Sequence, residues 1–143
     1  MANTNRRLRV LVADDERLIA DSLVMIFRTH GFDATSVYSG YSAIETALTL
    51  LPDVIICDIS MPGVNGVDAV LSMSRRLPET KFLLFSGHAQ SQNSLSRARE
   101  QGLKFVYLNK PVRPQIFIEY LTGYAAVLNA SVVPELEEAT KEV

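Results

Sequence analysis

Four short stretches of this chain carry residue types that could do chemistry together: Asp14-Asp15-Glu16, Asp58, Ser86-Gly87 and Asn109-Lys110-Pro111. Carboxylates that meet in one cleft repel each other unless a cation joins them. A hard cation that takes few protein oxygens and keeps several waters suits such a set, which describes Mg²⁺, and Mn²⁺ accepts the same donors. A carboxylate is also a nucleophile that can form an acyl phosphate. A lysine and a hydroxyl beside it would hold phosphoryl oxygens through charge-assisted and neutral hydrogen bonds. Brought together, these groups suggest phosphoryl transfer onto an aspartate.

Whether they meet depends on the elements that carry them. Apolar runs at residues 8–13, 54–57, 81–85 and 105–108 predict strands, and residues 33–37 a weaker one between the first two. The third and fourth of these five are apolar on both faces, as central strands of a parallel sheet are. Residues 15–29, 41–50, 65–77, 90–101 and 114–129 predict helices. In the first, Leu18, Ile19, Ser22, Leu23, Ile26 and Phe27 recur at helical spacing, and His30-Gly31 closes it with glycine as the left-handed cap. Pro52 and Pro78 stop the second and third. The fourth is polar, with Leu95 and Ala98 nearly its only apolar residues, and is expected to pack loosely. Five strand–helix units imply an α/β fold with a parallel sheet and helices on both faces, and a flavodoxin-like, doubly wound sheet fits five units best. Ligands of such sheets bind at the carboxyl ends of the strands. Asp14-Asp15, Asp58, Ser86 and Lys110 all follow strand ends, so the fold predicts that four separate loops bring them to one edge.

The ordered set of Asp14-Asp15, then Cys57-Asp58-Ile59-Ser60-Met61-Pro62-Gly63-Val64-Asn65-Gly66, then Phe85-Ser86-Gly87, then Tyr107-Leu108-Asn109-Lys110-Pro111 resembles the CheY-like receiver domain of two-component response regulators. The resemblance runs over residues 8–129, leaving 1–7 as an N-terminal extension and 130–143 as an acidic tail or the start of a linker. It implies a five-stranded sheet of order 2-1-3-4-5. Asp58 would accept a phosphoryl group from a phosphohistidine of a histidine kinase or a histidine phosphotransfer protein. Asp15 would ligate Mg²⁺ directly and Asp14 largely through water, with Asp58 and the backbone carbonyl of Ser60 completing the protein ligands. Lys110 and Ser86 would hold the phosphoryl group, and Tyr107 would be a rotamer switch that turns inward when Ser86 moves. The Lys110–Pro111 bond would be cis, and Gly66 would make the turn that opens the third helix. Ser60 and His88 would flank the phosphoryl group and tune attack by water. The face of helix four, strand five and helix five would be read by a downstream protein, and the helix-four face, with Arg97 and Arg99, is a candidate homodimer surface. Such a domain is a phosphoacceptor with slow self-hydrolysis rather than an enzyme.

The chain departs from the family pattern at several places, among them Leu103, which follows Gly102 where Ala is usual, and the polar fourth helix. Residues 102–110 run one residue longer than usual, which leaves the start of the fifth strand open. Ser86 stands where Thr is commoner, and Gly87 where Ala is frequent, which is expected to widen access to the phosphoryl group. Plainer readings exist for each residue. Asp14-Asp15 suits a helix start, Asp58 a turn, Ser86 a loop, Tyr107 an ordinary aromatic and Lys110 a solvated surface. Cys57 reads as a small buried hydrophobe and His30 as a helix-end residue. Two rival functions also stand. One is a Mg²⁺-dependent phosphatase with an aspartate nucleophile, which usually carries a second Asp two residues on, where this chain has Ser60. The other is an interaction module of the same fold that is never phosphorylated, against which the complete set Asp14, Asp15, Asp58, Ser86 and Lys110 argues.

Composition agrees with a single folded domain. The chain has 143 residues, 48% hydrophobic and 21% charged, and a domain of that size buries about two-thirds of its extended surface. One cysteine excludes an internal disulfide and a multi-cysteine zinc site. Neither a signal peptide nor a membrane-length apolar run is visible, so a cytoplasmic protein is expected. Net charge is −2; residues 131–143 hold four Glu and one Lys, and the remainder is near neutral. The basic footprint of a nucleic-acid binder is missing, and no output domain fits within these residues, so output is expected from a protein partner or from a longer regulator or hybrid kinase of which this is a piece.

Overall fold

The computed structural model describes residues 5–64, 66–87 and 91–130. His88, Asn65 and the acidic tail beyond residue 130 lie outside the described residues. Ten elements alternate along the chain: β1 Arg9–Ala13, α1 Arg17–Thr29, β2 Asp33–Val37, α2 Gly40–Leu50, β3 Val54–Asp58, α3 Gly66–Arg76, β4 Lys81–Ser86, α4 Ser91–Glu100, β5 Val106–Asn109 and α5 Pro114–Asn129. All strand pairings are parallel, in the order β2-β1-β3-β4-β5. Among the described residues no helix is long and apolar enough to cross a membrane.

Alternation along each strand sorts the core into two layers. Ile55 and Cys57 of β3 point, with Leu11 and Ala13 of β1, toward α2, α3 and α4, where Ala43, Ala47, Val70, Met73, Leu95 and Ala98 meet them. Val54 and Ile56 point the other way, with Val10 and Val12, toward α1 and α5. There Phe117 stacks edge-on against Phe27 and Phe85, at 6.2 and 5.6 Å between ring centroids. All five residues of β3 are buried, as the two-sided apolar run requires. Leu95 and Ala98 are both fully buried, so the polar α4 is anchored by its two apolar residues. Two polar links to α3 reinforce it, Arg97–Asp68 at 2.6 Å and Arg75–Gln101 at 3.2 Å.

Some local expectations shift. The helical stripe of α1 places Leu23 and Phe27 inside, but Leu18 is 80% exposed. Gly31 does take the left-handed conformation (φ +89°), and the N–H groups of Gly31 and Phe32 bond back to Arg28 and Phe27, closing α1. β5 begins at Val106, one residue later than expected, because its register starts at Leu83↔Val106. The extra residue is taken up after Gly102 (φ +86°), before the strand. In the β3–α3 loop Gly63 takes the left-handed conformation (φ +80°), and α3 opens at Gly66. Gly66 is also needed for closeness: a Cβ there would overlap the Asp58 carbonyl oxygen and the Ile59 Cα.

At the opposite end of the sheet the two ends of the described chain are clasped. Arg6 makes two bonds of 2.8 and 2.9 Å to the Asp53 carboxylate, which also accepts the Arg9 N–H. The Asn129 side chain accepts from the Arg6 N–H and donates to its carbonyl.

Two glycine substitutions should therefore act in opposite directions in urea or thermal melts. Gly66→Ala overpacks the loop below Asp58 and should cost about 1–3 kcal/mol or more. Gly123→Ala, inside α5 with open space around its Cβ position, should gain about 0.5–1 kcal/mol.

Candidate functional site

Parallel register makes the carboxyl ends of β1, β3 and β4 coincide. Ala13 pairs with Cys57, and Asp58 with Phe85. The residues that follow, or close, these strands are therefore delivered to one edge. Asp14 and Ser86 are fully buried and Asp58 is 3% exposed, whereas Asp15 is exposed. Oxygen atoms of Asp14, Asp15 and Asp58 lie within 4.8 Å of one another. Lys110 reaches in from beyond β5, its Nζ 3.0 Å from Asp58 Oδ2 and 3.4 Å from Asp14 Oδ2. The Lys110–Pro111 peptide is cis.

The backbone around the cluster is tied to the same carboxylates. Asp58 Oδ1 accepts the Ser60 N–H at 2.8 Å, and Asp14 Oδ1 accepts the Glu16 N–H at 2.9 Å. The residue preceding α1 is Glu16, and it makes no side-chain cap bond. The plain helix-cap reading of Asp14-Asp15 therefore does not describe their contacts. Ser60 Oγ and Ser86 Oγ stand 2.6 Å apart. Tyr107 is partly buried against the core and donates its hydroxyl to the Ser86 carbonyl at 3.3 Å. Gly87 lies beside the Lys110 side chain, where an added Cβ would make ordinary contact at 3.5 Å, so this position does not demand glycine.

Charge follows geometry. Burial pushes the Asp14 carboxyl above the ordinary aspartate range, and the nearby Asp58 charge adds to this against the Glu16 N–H and Lys110. Burial opposes the charge on Lys110, but its bond to Asp58 and the charges of Asp58 and Asp14 prevail and hold the ammonium above the usual lysine range. Cys57 is buried beside Asp58, and both burial and the neighbouring carboxylates push its thiol up, away from the reactive thiolate. His30 lies at the end of α1 with Nδ1 3.0 Å from the Ile26 carbonyl.

Residue types alone do not reveal several neighbours. Glu16 is a third carboxylate near Lys110, at 3.6 Å, and the Phe85 ring lies 5.0 Å from the same ammonium. The acidic run Asp14-Asp15-Glu16 was the only sequence signal for the first. Beside Lys110 and Pro111 an apolar hollow of about 530 Å³ is lined by Leu18, Ile19, Ile26, Val112, Pro114 and Phe117. Leu18, exposed where the stripe predicts burial, is part of that lining. Arg97 and Arg99 are engaged within the chain, Arg97 with Asp68 and Arg99 over the Phe105 ring at 5.0 Å.

The donor set fits a small, hard divalent cation. Its side-chain donors are the carboxylates of Asp14, Asp15 and Asp58, two of these residues buried and one exposed. A five-stranded 2-1-3-4-5 sheet with this acidic edge and facing lysine is the arrangement of a receiver domain. The chain belongs to the response regulator receiver domain family, which it matches over residues 10–122.

Individual relatives agree. The chemotaxis protein CheY of Thermotoga maritima is 32% identical over 114 residues, covering 79% of this chain and 93% of that protein. The transcriptional regulatory protein YesN of Bacillus subtilis is 30% identical over 123 residues, which are 84% of this chain but 33% of YesN. The DNA-binding response regulator MtrA of Mycobacterium leprae is 37% identical over 62 residues, 28% of its length. The chain thus spans a third or less of these two regulators. The fold also matches the CheY-like receiver domain protein of Methanospirillum hungatei JF-1, with a TM-score of 0.77, 21% identity, and coverage of 84% and 94% of the two chains.

Crowding of like charge gives a test. Asp14→Asn keeps an oxygen for the Glu16 N–H, and Lys110 keeps Asp58 and Glu16. In metal-free buffer at neutral pH the variant should be more stable than wild type by about 1 kcal/mol. Added Mg²⁺ should raise the melting temperature of wild type and do so much less for the variant.

Proposed function

We propose that the chain is the phosphoacceptor of a two-component pathway and that Asp58 is the residue modified. The observation that carries this is one juxtaposition: a nearly buried carboxylate at the end of β3, 3.0 Å from Lys110 and grouped with Asp14 and Asp15 from a different loop. A carboxylate oxygen of Asp58 attacks phosphorus, the P–N bond of a phosphohistidine breaks, and its electron pair returns to the imidazole of the donor. Asp15, Asp14, Asp58 and the Ser60 carbonyl would hold Mg²⁺ or Mn²⁺, which when bound neutralises charge on the transferring oxygens. Lys110 then exchanges its Asp58 contact for a phosphoryl oxygen, and the Ser86 hydroxyl donates to another.

The structure suggests how the change would spread. The Ser86 carbonyl accepts both the Lys110 N–H and the Tyr107 hydroxyl. In this form Tyr107 already donates its hydroxyl to the Ser86 carbonyl, so a change at Ser86 would reach Tyr107 through that bond. The face of α4, β5 and α5 is the proposed reading surface, for a protein partner in the cytoplasm. The phosphatase reading lacks its acid/base carboxylate, since the residue two after Asp58 is Ser60, whose hydroxyl is bonded to Ser86.

Beryllofluoride with Mg²⁺, a phosphoryl mimic, should perturb the amide NMR spectrum around Asp58, Ser86 and Tyr107 in wild type and leave Asp58→Asn unchanged. Acetyl phosphate with Mg²⁺ should add one alkali- and hydroxylamine-labile phosphoryl group to wild type only. A wild type that ignores both reagents, or an Asp58→Asn variant that responds like it, would sink the proposal.

A further inference from the structure

We infer that Ser60 is a positioning residue that holds the Ser86 hydroxyl away from Asp58 in the unmodified protein, and so sets the threshold at which the site switches. This rests on the reading of Asp58 as phosphoacceptor. The two hydroxyl oxygens, 26 residues apart in sequence, lie at 2.6 Å, within the ordinary range of an O–H···O bond. Both oxygens of Asp58 are engaged elsewhere, Oδ1 by the Ser60 N–H and Oδ2 by Lys110. Among the bonds of the described residues, the Ser86 hydroxyl is joined to Ser60 and not to Asp58.

Both ends of this contact are anchored. The Ser60 backbone is tied to Asp58 by its N–H. The Ser86 backbone is held in register with Asn109, and its carbonyl accepts Lys110 N–H at 2.9 Å and the Tyr107 hydroxyl at 3.3 Å. The Ser86 side-chain torsion has three staggered wells, and the bond to Ser60 favours one of them. A phosphoryl group on Asp58 supplies charged acceptor oxygens, which compete for the Ser86 hydroxyl better than a neutral hydroxyl does. Whichever hydroxyl donates, redirecting Ser86 breaks its bond to Ser60, and that loss is subtracted from the gain. Ser60 thereby acts through Ser86 as a brake.

The test is a double-mutant cycle. Beryllofluoride is titrated at saturating Mg²⁺ into wild type, Ser60→Ala, Ser86→Ala and the double variant, with amide NMR as the readout. Ser60→Ala should reach half-saturation at a beryllofluoride concentration about 3–10-fold lower than wild type, the worth of one hydrogen bond. In the Ser86→Ala background the same substitution should move the midpoint less than about 2-fold, since its partner is gone. An unchanged or raised midpoint in Ser60→Ala, with wild type responding normally, overturns the brake and leaves the phosphoacceptor reading standing. A gain that persists without the Ser86 hydroxyl also overturns it, because Ser60 would then be acting on the ligand directly. A wild type with no Mg²⁺-dependent response removes the phosphoacceptor reading itself, and the brake with it.

Discussion

Two carboxylates cannot sit side by side out of water without a counter-charge, and much of this structure is arranged around that fact. Asp14 and Asp58 are both nearly inaccessible, and Lys110 bonds to each. The ammonium cannot balance the whole cluster, because Asp15 and Glu16 add two more negative charges at its rim. The site is therefore stable enough to fold yet left with a deficit of positive charge. That deficit is a driving force for binding a divalent cation, created by placement and not by any single residue's affinity.

Placement in turn comes from the sheet. Parallel strands in matched register end together, so residues far apart in the chain arrive at one edge without long excursions. The loop after β3 then needs close backbone approach. Gly66 lets α3 begin directly against the Asp58 carbonyl, and Gly40 at the start of α2 lets the Val64 carbonyl come within 2.6 Å of where a Cβ would stand. The same loop carries Ser60, whose N–H orients Asp58 and whose hydroxyl meets Ser86. Asp58 and Ser60, which contact Lys110 and Ser86, thus share one short segment that packing keeps from drifting.

Much of this could be read from the chain alone, for identifiable reasons. Strands with apolar residues on both faces, such as 54–57, have one physical explanation, and polar residues immediately after them mark strand ends. That is why the sequence pattern alone groups Asp14, Asp58, Ser86 and Lys110. The misses share a different cause. The start of β5 depends on pairing with Leu83, a partner in another strand. The role of Gly66 depends on its distance from Asp58, which conformational preference does not encode. Leu18 belongs to a helical stripe wider than the buried face of α1, so periodicity could not say which edge stays open. The Ser60–Ser86 contact depends on two side-chain torsions in separate loops, beyond what residue types specify.

The clasp of Arg6 with Asp53 and Asn129 makes the folded backbone nearly a closed ring, its break lying at the pole opposite the carboxylates. The strand ladders that align Asp14, Asp58 and Ser86 do not depend on where that ring is cut. A circular permutant joined between residues 6 and 129 and opened at an exposed loop would thread the same sheet in a new chain order, with the acidic edge unmoved.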